Sequence, residues 1–149
     1  SEVQLIEYHL KIQNYRFGDR IHSQVIVDDD VEQDAKVLPL IIQPFVENAF
    51  VHGLESSEDG GNLTVHVSRD MGVIVVTIED DGVGMDYYQL GKLRYAINSG
   101  EAAEKGHIGV SNVNQRLKLQ YGEQFGVTVD STLGKGTKIT IMMPFVFGE

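Results

Sequence analysis

Cysteine is absent from the 149 residues. Disulfides, thiolate zinc sites and cysteine nucleophiles are therefore excluded, and the lack fits a reducing compartment. Basic residues are also few. Twelve Lys and Arg stand against 22 Asp and Glu, for a formal net charge of −10. With no Lys/Arg block, a duplex-binding surface is not expected, and no nucleic-acid partner is assigned. A nucleotide remains compatible, because backbone N–H groups and a metal ion can hold phosphates without many cations. No apolar run approaches the roughly 20 residues of a membrane-spanning helix. The best candidates, Val37 to Val46 and Val73 to Ile78, are interrupted or short. There is no signal-peptide pattern, and the chain opens on Ser1 rather than Met, so a piece of a longer protein is expected. What remains is ordinary for a globular domain with a continuous core: 42% hydrophobic and 23% charged residues.

Periodicity divides the chain into helices and strands. Leu5, Ile6, Leu10 and Ile12 or Tyr15 predict a helix over 3–16, closed at Phe17-Gly18. Ile21, Ser23, Val25 and Val27 alternate as a strand over 20–28, followed by a polar loop over 28–36. A second helix is predicted over 39–53, starting at Pro39 or at Pro44. Strands over 62–69 and 73–80 flank a turn at Asp70-Met71-Gly72. The second is nearly all apolar, which predicts a central strand buried on both faces. Then come a helix over 86–97, a mobile loop over 98–108, a helix over 110–121, and strands over 125–131 and 137–144 around Leu133-Gly134-Lys135-Gly136. The order lacks a regular βαβ rhythm. The expected class is α+β: a two-layer sandwich of a mixed, mostly antiparallel sheet with helices on one face.

Four segments carry candidate chemistry. In Gln43 to Gly53, Asn48 and His52 stand four apart, on one helix face, while Phe45, Val46 and Ala49 supply the apolar side. Asn is a poor helix former, and its amide oxygen suits a hard cation such as Mg²⁺. Glu47 beside it can accept a proton. The competing reading of this segment alone is a solvated polar face. Glu79-Asp80-Asp81-Gly82-Val83-Gly84-Met85 follows an apolar strand. A carboxylate there can accept from an exocyclic amine, and the glycines allow close backbone approach to a flat ring. An acidic glycine turn is the competing reading. Gly106-His107-Ile108-Gly109 leads into a helix beginning near Val110. Such a start offers N–H groups and the positive dipole end to phosphate, although no Walker G-K-[ST] follows. Gly134-Lys135-Gly136-Thr137 reads alone as a hairpin turn, with the Thr137 hydroxyl available to a ligand.

Taken in order, these segments resemble the asparagine box and the three glycine boxes of the Bergerat-fold ATPases. That group includes type II topoisomerases, heat-shock chaperones, mismatch-repair ATPases and histidine kinases. The likeness is closest to bacterial two-component sensor histidine kinases with a P-x-x-x-Q-P-x-x-E-N-A-x-x-H-G box, here Pro39 to Gly53. Ile108 to Gly122, Gly134 to Pro144 and the opening Ile6 to Phe17 extend it over nearly the whole chain. The resemblance implies an ATP-binding catalytic domain over 19–149, preceded by a helix over 1–18 leading from a missing dimerisation and phosphoacceptor segment.

It also implies roles. Asp80 would bind the adenine amino group, supported by Thr137, with Gly82, Gly84 and Met85 lining the base pocket. Asn48 would ligate Mg²⁺, and Glu47 would be the base or polarising group. Gly109 and Val110 would meet the phosphates, and residues 86–108 would form a lid. Three positions depart from the family pattern: Asp81 stands for Asn and adds charge beside the pocket, Val51 for Lys, and His107 for Gly. A phosphate contact would then be either lost or taken over by His52. None of the five His lies in a P-H-F-x-x-N acceptor motif, so the acceptor is expected elsewhere. The implied partners are that acceptor segment and a response regulator, and the implied location is the cytoplasmic side of a membrane-anchored bacterial protein. Two alternatives stay open: a serine kinase of the anti-sigma-factor type, and a non-catalytic nucleotide-sensing module.

Overall fold

The computed structural model describes residues 21–27, 45, 46, 49, 61–99 and 108–144. Among the described residues there are five strands: β1 (Ile21–Val27), β2 (Gly61–Asp70), β3 (Val73–Asp80), β4 (Gly126–Thr132) and β5 (Gly136–Pro144). Two helices, α1 (Tyr87–Ser99) and α2 (Ile108–Tyr121), lie between β3 and β4. The strands form one sheet in the order β1-β2-β3-β5-β4, parallel only between β1 and β2. This is the expected mixed α+β sheet. The helix predicted over 3–16 and most of that over 39–53 lie outside the described residues.

Alternation along the strands builds the core. Register aligns Val25, Val65, Ile78, Ile139 and Val129 in one row across the sheet. A second row joins Val67, Val76, Ile141 and Val127. All but Val25 are buried, and Val25 packs at the margin of the same cluster. Phe45, Val46 and Ala49 join this core, as the apolar side of the asparagine box should. Burying each such side chain stabilises the fold by about 1.5–3 kcal/mol.

The double burial expected for β3 is not observed. Ile74, Val76 and Ile78 are buried, whereas Val73, Val75 and Thr77 are half-buried. Among the described residues both helices cover the same face, and the neighbours of Thr77 on the other are His66 and Thr140. The apolar run marks a central antiparallel strand rather than one enclosed between two layers.

α1 begins at a reciprocal cap: Gln89 N–H donates to Asp86 Oδ1 at 2.8 Å, and Asp86 N–H donates to Gln89 Oε1 at 3.0 Å. Leu90, Leu93, Ala96 and Ile97 form its buried face. At its end, Asn114 Nδ2 donates to Ile97 O at 3.0 Å and Gln115 Nε2 to Asn98 O at 2.9 Å, so α2 caps α1. Asn114 is 1% exposed and also accepts Val127 N–H at 2.9 Å. Arg94 donates to Val129 O at 2.7 Å through one Nη. These two side chains therefore occupy outward-facing backbone groups of the edge strand β4.

The ties bear on the first part of the lid expected over 86–108. Its first part is a packed helix, held to β4 and α2. Residues 100–107 lie outside the described residues. α2 also starts before Val110, at Ile108, which places Gly109 and Val110 inside its first turn. First-turn N–H groups lack intrahelical acceptors, and glycine costs least near a helix end.

Candidate functional site

The apolar rows give way to a polar one at the end of β3. Leu63, Asp80, Thr137 and Ser131 are aligned there across β2, β3, β5 and β4. Their positions continue the inward alternation, so the row lies on the helix-covered face. Asp80 is only 5% exposed. Its Oδ1 accepts Gly82 N–H at 2.9 Å, and Thr137 N–H is a second donor. Its carboxyl is raised from 3.8 to about 6, chiefly by burial and also by the charges of Asp81 and Glu79, against the opposing effect of the two N–H groups. A buried carboxyl with few donors is suited to a ligand N–H.

The following loop is clasped onto the β4–β5 hairpin. Gly134 N–H donates to Val83 O at 2.7 Å, and Met85 N–H donates to Ser131 Oγ at 2.9 Å. Two glycines make this approach possible. Gly84 has φ +69°, and a Cβ there would collide with Thr132 O. Gly136 has φ +124°, and a Cβ there would collide with Asp80 O. Both conformations also favour glycine intrinsically. Gly84 thus serves backbone packing against the hairpin, a different need from the approach to a flat ring read from the sequence. A depression of about 440 Å³ opens at this end of the sheet, with Asp80, Ser131, Thr132, Gly136 and Thr137 among its lining residues.

Asp81 is turned to a structural task. Asn62 donates to it twice, from its backbone N–H at 2.6 Å and its amide at 2.8 Å. Burial is the largest single effect and opposes its ionisation, but the hydrogen bonds together outweigh it and hold the carboxyl below the ordinary range. The extra charge read as intruding beside the pocket is therefore stabilised by the start of β2.

The structure brings together Asp80, Gly82, Gly84, Met85 and Thr137. Met85 packs at the edge of the core. Glu47, Asn48 and His52 lie outside the described residues, as do the side chains of α2's first turn. Among the described residues, no group of three or more His, Asp or Glu side chains could hold a metal ion. Ser131 is the site residue that sequence reasoning missed. Its Oγ lies 2.8 Å from Thr137 Oγ1 and 2.9 Å from Gly136 O. The pattern Val127, Val129, Ser131 already marked a polar residue on a core-facing position.

Comparison with known proteins agrees with this geometry. Residues 33–146 match the family described as histidine kinase-, DNA gyrase B-, and HSP90-like ATPase. Sensor histidine kinase YpdA of Escherichia coli (strain K12) is 33% identical over 146 residues, 97% of this chain and 24% of that protein. Sensor histidine kinase YesM of Bacillus subtilis (strain 168) is 29% identical over 144 residues, 97% of this chain and 23% of that protein. The chain spans about a quarter of the length of these curated relatives. Among solved structures, the histidine kinase domain from the Erythrobacter litoralis EL346 blue-light activated histidine kinase superposes with TM-score 0.64 at 23% identity, covering 91% of this chain and 57% of that one. The catalytic domain of histidine kinase ThkA superposes with TM-score 0.70 at 14% identity, covering 97% and 92%. At these identities the structural likenesses show the fold.

Proposed function

The chain belongs to the histidine kinase-, DNA gyrase B-, and HSP90-like ATPase family, and from that premise we propose that it is the ATP-binding catalytic domain of a sensor histidine kinase. It binds Mg-ATP and passes the γ-phosphoryl group to a histidine outside this chain, in two-component signalling. The observation that carries the base end of this reading is Asp80: a buried carboxyl at the end of β3, opposite Thr137, beside a depression.

The described residues fit an adenine base. Asp80 accepts from the exocyclic amine, with Thr137 beside it. Gly82 directs its N–H to Asp80 and so aims the carboxylate. Gly84 lets the loop close on the hairpin, and Met85 adds an apolar edge. In the same reading Asn48 ligates Mg²⁺, Glu47 is the base or polarising group, and His52 contacts phosphate. Gly109 and Val110 open α2, whose N-terminal N–H groups and dipole favour an anion. ATP supplies the phosphoryl group; this chain's residues position it and balance its charge, which is the main catalytic task in such transfers. The partners are the dimerisation and phosphoacceptor segment and a response regulator. The location is the cytoplasmic side of a membrane-anchored protein. Among the described residues no helix is long and apolar enough to cross a membrane.

Transfer is tested by incubating the chain with labelled ATP and a His-bearing acceptor segment from a related kinase. Acid-labile, base-stable label on the acceptor, lost in Glu47→Gln, supports the reading. Acid-stable label would assign a serine kinase instead.

A further inference from the structure

Ser131 has no role in the reading above, yet it lies at the centre of the hydrogen bonds beside Asp80. We propose that Ser131 is a positioning residue for base selection: it holds the Thr137 hydroxyl so that this wall of the pocket presents only hydrogen-bond acceptors. The inference rests on reading Asp80 as the acceptor of the adenine amine.

The argument is a count of protons. A hydroxyl carries one proton and two lone pairs. Met85 N–H donates to Ser131 Oγ at 2.9 Å and occupies one lone pair. Gly136 O, 2.9 Å away, is a carbonyl, so the Ser131 proton is committed to it. The remaining contact, 2.8 Å to Thr137 Oγ1, is then filled by the Thr137 proton. Ser131 is saturated, and Thr137 offers its own lone pairs to the pocket.

Asp80 stands directly opposite Thr137 in the β3–β5 register, and its ionised carboxylate also only accepts. Two neighbouring acceptors suit a base edge bearing an amino group. They repel a carbonyl oxygen at the same place. Gly136, whose missing Cβ admits Asp80 O, holds the carbonyl that fixes the Ser131 proton. The hairpin thus sets the polarity of the wall as well as its shape, and the wall selects 6-aminopurines over 6-oxopurines.

The test titrates ADP and IDP into the 149-residue chain by calorimetry at pH 7.5. These nucleotides differ only in the purine ring, at position 6 and in the N1 proton. Wild type should prefer ADP. Ser131→Ala releases the Thr137 proton, which can then donate to a 6-oxo group, and the ADP/IDP affinity ratio should fall about tenfold. Ser131→Thr, which keeps the hydroxyl, should restore it. A purely structural role would weaken both nucleotides together and leave the ratio unchanged. Thr137→Val leaves Ser131 intact and removes the accepting oxygen, so it too should lower the ratio, which covers the case of Ser131→Ala failing to fold. An unchanged ratio in the folded variants, with ADP binding still lost in Asp80→Asn, overturns the role of Ser131 alone. ADP binding undiminished in Asp80→Asn overturns the base-pocket reading and this inference together.

Discussion

Asp80→Asn should make the domain more stable while removing its nucleotide binding. In the nucleotide-free fold, burial raises the Asp80 carboxyl from 3.8 to about 6. Between those values the native state holds a proton that the unfolded chain has released. Stability from this group is therefore present at low pH and lost as pH rises toward 6, the reverse of a salt-bridged carboxylate. At pH 7.5 the full gap applies and costs the fold about 3 kcal/mol. Because Asp80 is 5% exposed, little of this is screened by solvent.

Asn carries no charge and keeps an oxygen for Gly82 N–H. It turns an amide N–H toward the Thr137 N–H, which costs about 1–2 kcal/mol. The net gain at pH 7.5 is about 1–2 kcal/mol, or roughly 2–8 °C in Tm for a domain of this size. At pH 5 the wild type has recovered about 1.4 kcal/mol of the penalty, so the advantage of the variant should shrink by that amount. Asp81, held low by Asn62, pulls stability the other way on acidification. It does so in both proteins and cancels in the difference. Urea unfolding followed by circular dichroism at pH 7.5 and pH 5, without nucleotide, measures it. A difference between the two proteins that does not change with pH would refute the argument, even if the variant proved more stable.

The hairpin glycines should separate by their surroundings. Gly136→Ala meets Asp80 O and adopts φ +124°, and should lose more than about 3 kcal/mol in urea unfolding, whereas Gly134→Ala, at φ +83° with nothing within 4 Å, should lose about 1 kcal/mol. Asn114→Ala strands Val127 N–H and Ile97 O in a place 1% exposed, and should cost about 2–4 kcal/mol. Hydrogen exchange at Val127, measured by NMR, should speed up in that variant more than exchange at the centre of β3.

Much of this layout was legible because two periodicities are simple. The inward set Leu63, Val65, Val67 and the set Ile139, Ile141, Met143 identified their strands and faces without any tertiary knowledge. Asp80 was legible because a carboxylate closes an apolar strand just before a glycine pair. What stayed hidden depended on pairing across the sheet. No local pattern says that Asp81 meets Asn62, nineteen residues away, or that Asn114 joins α1 to β4. The outer face of β3 was misread because a valine-rich strand looks the same whether covered by a second layer or half-covered by side chains of its neighbouring strands, here Ser68 and Met142 beside Val75. Gly84 and Gly136 were visible as glycines, but the carbonyls that require them lie on other segments of the site.

The charge of the described site sets the direction in which a nucleotide can lie. Asp80 and Asp81 are consecutive where β3 ends, and of the other charged groups at this opening Glu79 and Asp130 both stand opposite Lys138, with Lys135 on the hairpin turn. A triphosphate placed against Asp80 would meet the like charge of that carboxylate and of Asp81. The neutral base with its amino edge meets only acceptors that it satisfies. In the proposed reading the nucleotide therefore enters base first, and its phosphates extend away from β3 toward the start of α2. That helix has no acidic residue in its first turn, and its dipole is positive at that end. The low content of Lys and Arg then has a physical consequence. With few side-chain cations in the chain, the proposed phosphate end would rely on backbone N–H groups and a divalent ion, whereas the proposed base end would rely on fixed acceptors. In that reading, selectivity for the base and affinity for the phosphates are held by different parts of the chain. A substitution at Asp80, Thr137 or Ser131 should alter which nucleotide is chosen, and removal of the divalent ion should alter how tightly any of them is held.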